Sequence, residues 1–171
     1  MRLIVPGYYG VNNIKYVKSV VFTPQETAAN IQTSSYRVRE IGTKGNPAQP
    51  SMWQMNLKSF VTHPTGTDEP LRAGLHQIHG VAFTGESPVK AVEISADGGS
   101  TWHTAQFFGP DLGPYAWRQF MLPVTLQPGS YLFTSRAVAA DGTMHPELRV
   151  ENERGDAHNG WRDHGVAVIV V

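Results

Sequence analysis

The densest group of polar residues lies near the C-terminus, between residues 152 and 162. It places Arg154 beside Gly155, and Asn159 and Gly160 just before Trp161. A guanidinium presents a planar fork of hydrogen-bond donors that matches the oxygens of an anion. We therefore predict that Arg154 is held in a loop to meet an anion. Residue types and periodicity alone do not establish that role.

Two further cations stand in an apolar, glycine-rich segment at the other end of the chain. They are Arg2 and Lys15, and Gly7 and Gly10 lie between them. One interpretation is two solvent-facing cations. The other is a pair that neutralises a phosphate, with the glycines allowing the backbone to come close to it. Both interpretations stay open on spacing alone.

The chain has seven histidines, but no His-Glu-x-x-His motif or similar metal-binding spacing. Most of them are expected at the surface or at strand edges. His158 and His164 remain candidates because one lies in the Arg154 loop and the other follows it closely. We predict no metal ligand and no catalytic side chain within this sequence.

Residues 95–102 match the Asp-box pattern of sialidase-type β-propellers. This pattern predicts a hairpin in which Asp97 caps amides of the turn and Trp102 packs beneath it. Propellers repeat such motifs from blade to blade, whereas this chain has one copy. We therefore expect a self-stabilised turn without a ligand.

Composition excludes several classes of protein. The 171 residues are 40% hydrophobic, which indicates one folded core. Their formal net charge is zero, so bulk charge gives no reason to expect binding to nucleic acid or to an anionic membrane. The absence of cysteine excludes disulfides and thiolate ligands from this chain. No apolar run approaches the ~20 residues of a membrane-spanning helix.

From about residue 52 onward, the hydrophobic pattern is that of short strands with turn signals at intervals of roughly 8–12 residues. The predicted strands cover residues 56–63, 74–84, 89–95, 102–108, 115–122, 131–139 and 165–171. Gly80 is expected to kink or bulge the second strand. This pattern is typical of an all-β, immunoglobulin-like sandwich of about seven strands, preceded by a short irregular segment.

The segment before the sandwich has weaker signals for secondary structure. Residues 3–5 predict a buried strand and residues 17–22 a second strand. Thr23 and Pro24 favour the start of a short helix that ends near residue 33. Residues 34–50 have no periodicity and read as an extended linker. A buried strand so close to the N-terminus predicts a domain cut through its middle.

Three stretches together resemble the C-terminal part of the sulfite oxidase family of molybdenum enzymes. Residues 2–17 resemble the end of that family's molybdopterin domain, which reads Arg, an apolar run, Pro-Gly, Gly, and then apolar-Lys-aromatic. Residues 95–102 resemble the Asp-Gly-Gly-x-Thr-Trp turn of its dimerisation domain. Residues 152–161 resemble its final loop, Asn-x-Arg-Gly followed by Asn-x-Trp.

The resemblance implies a function for each part. Residues 1–33 would be the remnant of a molybdopterin-binding domain, 34–51 a linker, and 52–171 an immunoglobulin-like dimerisation domain. Arg2 and Lys15 match residues that bind the pterin phosphate, and Arg154 matches an arginine that meets sulfite. The intact parent would add water-derived oxygen to sulfite, giving sulfate, and pass two electrons to a separate acceptor.

The resemblance also implies partners and a location. The expected partners are a second copy of the chain in a homodimer, the upstream molybdopterin domain and a cytochrome electron acceptor of the parent, which would be periplasmic. Nucleic acid and membranes are not expected partners.

One departure from the family pattern is large. The family holds molybdenum through a cysteine thiolate, and this chain has no cysteine. We therefore expect a fragment that is inactive alone and retains no molybdopterin. Related members act on other oxyanions or on sulfoxides, so the residues leave the substrate open. The alternative interpretation is a stand-alone immunoglobulin-like binding or assembly module without catalysis.

Overall fold

The computed structural model describes residues 1–66 and 69–171. It confirms an all-β sandwich, with two four-stranded antiparallel sheets in the orders β1-β2-β6-β5 and β4-β3-β7-β8. The strands are β1 (Lys58–His63), β2 (Gly74–Phe83), β3 (Val89–Ser95), β4 (His103–Thr104), β5 (Gln106–Phe108), β6 (Arg118–Leu126), β7 (Gly129–Ala139) and β8 (Val166–Val170). No helix among the described residues is long and apolar enough to span a bilayer.

The structure has eight strands because one predicted strand divides. The predicted strand over residues 102–108 breaks at Ala105, which is buried and donates its N–H to the carbonyl of Val92 over 2.8 Å. Before the break β4 pairs with β3, and after it β5 pairs with β6 in the other sheet. The chain therefore crosses between the sheets at this point and ties together one side of the sandwich.

The core lies between the inner faces of the two sheets. Ile78, Phe120 and Phe133 are fully buried there. On β7, Phe133 and Ala137 are buried in the core, whereas Leu132 is exposed. Burying each large apolar side chain contributes roughly 1.5–3 kcal/mol, so packing between the sheets is a main source of stability.

Two irregular positions have clear structural roles. Gly80 does not bulge β2, which pairs with β6 in unbroken register; the register shift lies opposite it in β1, between Val61 and His63. A Cβ at this position would lie 2.1 Å from the ring of Phe120, so the glycine also makes room for that ring. The predicted end of β6 before Pro123 is wrong, because the strand runs on to Leu126. β5 pairs only as far as Met121, so Pro123 lies at an open edge where a missing N–H is tolerated.

The predicted buried strand at residues 3–5 is wrong. Leu3 is 42% exposed and Ile4 is 64% exposed. The backbone here forms one isolated antiparallel bridge, between Arg2 and Lys15. Among the described residues no further strand lies beside this bridge, so the apolar run has nothing to be buried against.

The predicted strand at residues 17–22 and the helix after it are also wrong. Val20, Val21 and Phe22 are exposed, and the helical structure is limited to a π-helical turn, Ile31–Ser35. The signals for a helix start are used differently. The Thr23 hydroxyl donates to the carbonyl of Gln25 over 2.7 Å instead of capping an amide.

Residues 34–51 contain no strand, but they are pinned to the rest of the chain. Arg37 is only 4% exposed. It donates to the carbonyls of Gln32 and Gln49 over 2.6 and 2.9 Å, and it pairs with Glu26 at 2.9 Å. Arg37 therefore closes this segment into a fixed loop.

A buried polar chain supports the exposed edge of β1. His145 is 1% exposed, and its Nδ1 accepts from the N–H of Ser59 over 3.4 Å. The hydroxyl of Ser135 donates to that of Ser59 over 3.0 Å. Burial lowers the pKa of His145 to about 4, against a smaller opposing effect of the Asn159 backbone. The imidazole is therefore neutral in the folded protein at neutral pH.

The neutral state of His145 predicts a loss of stability in acid. An unfolded histidine binds a proton near pH 6.5, whereas the folded one resists protonation down to about pH 4, so stability falls as the pH drops between these values. Asparagine at this position keeps an acceptor but cannot titrate. We expect the drop in unfolding free energy from pH 7 to pH 4.5 to be about 2 kcal/mol smaller in His145→Asn.

Urea unfolding at both pH values measures this difference. The matched control is His103→Asn, which removes an exposed histidine. An equal pH dependence in wild type and His145→Asn would contradict the assignment.

Candidate anion-binding site

The polar stretch at residues 152–162 is a long loop between β7 and β8. It ends in a 3₁₀ turn, Trp161–His164, which leads directly into β8. The part before that turn has no regular structure. Its shape is therefore set by bonds to other segments of the chain.

The segment around Arg39 holds the first part of the loop. The buried side chain of Asn152 accepts from the backbone N–H of Arg39 over 2.9 Å. The N–H of Glu153 donates to the carbonyl of Arg39 over 3.0 Å, and its carboxylate accepts from the N–H of Gly42 over 2.5 Å. These bonds fix the residues immediately before Arg154.

The start of β1 holds the second part of the loop. The Asn56 amide donates to the carbonyl of Ala157 over 2.8 Å, and Lys58 Nζ donates to that of His158 over 3.0 Å. The Asn159 amide donates to the carbonyl of Leu57 over 3.1 Å. Arg154 therefore lies between two anchored segments, which limits how far the loop can move.

Trp161 fixes the C-terminal end of the loop to the sandwich. It is 5% exposed, and its ring meets that of Trp102 edge to face with centroids 5.1 Å apart. Its carbonyl accepts from the Thr134 hydroxyl over 3.0 Å. A Cβ on Gly99 would lie 2.4 Å from the Trp161 ring, so the turn at residues 95–102 is shaped to receive this tryptophan.

That turn is stabilised internally, as the sequence predicts. The Asp97 carboxylate accepts from the N–H groups of Ser100 and Thr101, both over 2.9 Å, and from the Ser95 hydroxyl over 2.6 Å. Hydrogen bonds from Ser95 and Thr101 hold the pKa of Asp97 far below its usual range. The Asp-box therefore builds a rigid support for Trp161.

The Arg154 side chain is 46% exposed. Its guanidinium lies 5.1 Å from the centre of the Tyr36 ring, and its Nε is 3.9 Å from Asp156. Among the residues that the structure describes, none accepts a hydrogen bond from this guanidinium within 3.5 Å. Its donors are therefore available to a ligand. The sequence did not predict that Tyr36 and Asp156 lie beside Arg154, although Asp156 belongs to the same polar stretch, residues 152–162.

Each of the two candidate histidines lies next to another side chain of the protein. His158 Nε2 is 3.5 Å from a Glu151 carboxylate oxygen. The His164 ring lies 6.3 Å from that of Phe60, and burial, followed by the charge of Lys58, lowers its pKa. In the part of the chain that the structure describes, no group of three His, Cys, Asp or Glu side chains could hold a metal ion.

The isolated bridge brings Arg2 and Lys15 together. Directly opposed residues of an antiparallel pair project from the same face, and both residues are exposed. The Arg2 Nε donates to the carbonyl of Asn13 over 3.3 Å. This arrangement fits a phosphate group. No hydrogen bond or ion pair between described residues links the two cations to Arg154.

A cleft of about 550 Å³ opens on another side of the Arg154 loop. Its lining includes Met52, Leu57 and Tyr9, but not Arg154. Burial is the main cause that raises the pKa of Tyr9, and the charge of Asp156 adds to it. The carboxylates that line the cleft belong to Glu86, Asp141 and Asp156. A cleft with this charge repels anions, so the exposed Arg154 is the better anion site.

Comparison with known proteins identifies the family. A family model described as "Mo-co oxidoreductase dimerisation domain" matches residues 49–170. The chain belongs to this family. The match supports the molybdenum-enzyme interpretation over a stand-alone binding module.

Several curated relatives are similar over nearly the whole chain. Mitochondrial sulfite oxidase of Macaca fascicularis is 29% identical over 182 residues, which cover 99% of this chain and 33% of that protein. Sulfite oxidase of Gallus gallus is 27% identical over 94% of this chain and 37% of its own length. Nitrate reductase [NADH] 2 of Phaseolus vulgaris is 26% identical over 94% of this chain and 21% of its own length. The chain thus spans roughly a third or less of these relatives.

A solved structure shares the fold. The sulfane dehydrogenase SoxCD from Paracoccus pantotrophus superimposes with a TM-score of 0.79 at 29% identity, over 99% of this chain and 46% of that one. The chain has no cysteine, so it supplies no thiolate ligand to a metal.

Gly160 gives a test of how firmly the loop is anchored. A Cβ there would lie 2.4 Å from the backbone nitrogen of Arg149, although the backbone angles of Gly160 suit any residue. We expect Gly160→Ala to reduce the unfolding free energy by about 1–3 kcal/mol, because backbone atoms must shift. Hydrogen exchange over residues 146–162 should also accelerate.

The matched control is Gly10→Ala, where a Cβ would meet nothing within 4 Å. Urea unfolding and hydrogen exchange of both variants measure the difference. Equal effects of the two substitutions would show that the contact with Arg149 does not matter.

Proposed function

We propose that this chain is the substrate-side and dimerisation part of a molybdopterin-dependent oxidoreductase of the sulfite oxidase type. The intact parent would oxidise sulfite to sulfate. The observation that carries the proposal is the guanidinium of Arg154, which is half exposed, free of internal hydrogen-bond acceptors among the described residues, and held on a loop anchored on both sides. Membership of the dimerisation-domain family gives this arrangement its context.

The chain's own residues would have separate roles. Arg154 would bind and orient the oxygens of the substrate, and Arg2 and Lys15 would hold the phosphate of the cofactor. The bound molybdenum cofactor would supply the two-electron chemistry. Domain limits of 1–33, 34–51 and 52–171 fit this division, and the N–H of Met55 bonds to the carbonyl of Gly7 over 2.8 Å, which ties the first part to the third.

The names of the similar proteins include sulfite oxidases, nitrate reductases and a sulfane dehydrogenase. A guanidinium binds sulfite and nitrate through the same planar contact, so Arg154 does not choose between them. We propose sulfite as the substrate because sulfite oxidases, at 29% identity over 99% of this chain, are more similar to it than the nitrate reductase at 26% over 94%. The sulfane dehydrogenase has the same 29% identity and 99% coverage, so identity alone does not separate sulfite from a sulfane substrate. A cytochrome acceptor and a periplasmic location for the parent are further proposals from the resemblance.

Substitution of Arg154 tests the substrate role in the intact parent enzyme. Arg154→Met removes a charged hydrogen-bond donor, so we expect transition-state binding of sulfite to weaken by about 1.5–3 kcal/mol. This loss should appear as a lower kcat/KM, mainly through a higher KM. Arg154→Lys should be intermediate, because it keeps the charge but loses the planar fork. Steady-state assays with sulfite and with nitrate measure both variants.

The control for this experiment is Arg72→Met, which removes an exposed arginine and changes the net charge equally. Unchanged kinetics in Arg154→Met, or a loss explained wholly by unfolding, would refute the substrate role.

The family assignment predicts assembly of this chain without cofactor. The continuous core from residue 57 to residue 170 should fold alone, and an isologous interface should pair two copies. We expect sedimentation velocity to show a concentration-dependent shift from monomer to dimer. A monomer at the highest soluble concentration, in both this chain and the intact parent, would contradict dimerisation.

A further inference from the structure

Two side chains flank the guanidinium of Arg154. The ring of Tyr36 lies 5.1 Å from its central carbon, within the range of a cation–π contact. The carboxylate of Asp156 lies 3.9 Å from Nε, too far for a hydrogen bond but close enough for an ion pair. The guanidinium therefore rests between an aromatic face and an internal counter-ion.

The fold holds Tyr36 firmly in this position. Tyr36 follows the π-helical turn, and its N–H bonds to the carbonyl of Ile31 over 3.4 Å. Its carbonyl accepts from the N–H of Met52 over 3.0 Å. The segment that continues from Tyr36 to Arg39 is bonded to the loop through Asn152. The ring and the loop are thus parts of one bonded unit.

An unusual backbone turn brings Asp156 back towards Arg154. Gly155 has a φ of 71° and Ala157 a φ of 65°, so left-handed residues lie on both sides of the aspartate. A left-handed alanine is uncommon and strained, because its Cβ approaches the backbone. Bonds from Asn56 to Ala157 and from Lys58 to His158 hold the chain in this conformation.

The ion pair is weak enough to be displaced. The side chains of Arg154 and Asp156 are 46% and 38% exposed, and exposed ion pairs contribute little to stability because water screens them. A doubly charged oxyanion can instead form two parallel charged hydrogen bonds with a guanidinium. Such an anion outcompetes the carboxylate, whereas a singly charged ion without the matching geometry gains less.

We propose that Tyr36 and Asp156 are positioning residues for Arg154, the ring holding the guanidinium plane and the carboxylate neutralising the charge until an oxyanion displaces it. This inference rests on the proposed role of Arg154 in binding an oxyanion. Asp156 thereby sets a threshold that favours doubly charged oxyanions over chloride. Tyr36 keeps the guanidinium in place when the carboxylate is displaced.

The first test measures sulfate binding to this chain at low ionic strength. Sulfate is titrated into ¹⁵N-labelled protein, and the Arg154 side-chain resonance is followed by NMR. Asp156→Asn removes the counter-ion, so sulfate should bind about two- to fivefold more tightly, and the preference for sulfate over chloride should shrink. Asp111→Asn is the control, because it removes an exposed carboxylate on another loop with the same change in net charge.

The second test needs no ligand. A guanidinium over an aromatic face shows upfield-shifted Arg154 side-chain protons because of the ring current. Tyr36→Phe should keep this shift, whereas Tyr36→Leu should lose it and weaken sulfate binding about two- to fivefold. Side-chain protons without an upfield shift in the wild type would overturn the role of Tyr36.

The outcomes separate this inference from the proposed function. Arg154→Met should abolish the sulfate response. If Arg154→Met binds sulfate like the wild type, or the wild type does not respond, the anion site itself is wrong. If Arg154→Met abolishes binding but Asp156→Asn behaves like Asp111→Asn, only the counter-ion role of Asp156 is overturned.

Discussion

The Arg154 loop depends on hydrogen bonds from distant segments to its backbone. A loop without regular structure must find partners for its buried N–H and carbonyl groups, or their desolvation destabilises it. Here Arg39 supplies partners on one side, and Asn56 and Lys58 supply them on the other. The segment before the sandwich is therefore part of the site, because without it the residues beside Arg154 would have unpaired polar groups.

The sandwich provides the fixed reference for these bonds. Crossing between the sheets at Ala105 lets residues 102–108 take part in both. The same stretch begins with Trp102, whose ring supports Trp161 at the end of the loop. Tight packing transmits position, so the capped turn at Asp97, the two tryptophans and the loop behave as one rigid body.

Negative and positive side chains occupy different places around the Arg154 loop. Carboxylates of Glu86 and Asp141 line the cleft, whereas Arg154, which is 46% exposed, is not part of its lining. Asp156 lines the cleft and also lies near Arg154, so it faces both environments. A chain with zero net charge can therefore present a local anion site without attracting polyanions in general.

The sequence by itself determined the sandwich, most strand positions and the Asp97 turn, because alternation, turn residues and motifs are local properties. Together with the family resemblance, it singled out Arg154 as a candidate site residue. The predictions from the sequence are wrong where a segment's structure depends on which other segments pack beside it. Residues 3–5 and 17–22 are apolar enough for strands, but no described strand pairs with them, and Thr23 satisfies a carbonyl instead of capping a helix. Only the tertiary structure decided that residues 102–108 divide between two sheets and that Arg37 closes the linker. It alone placed Tyr36 and Asp156 beside Arg154, since that approach needs bonds between segments more than 100 residues apart in the chain.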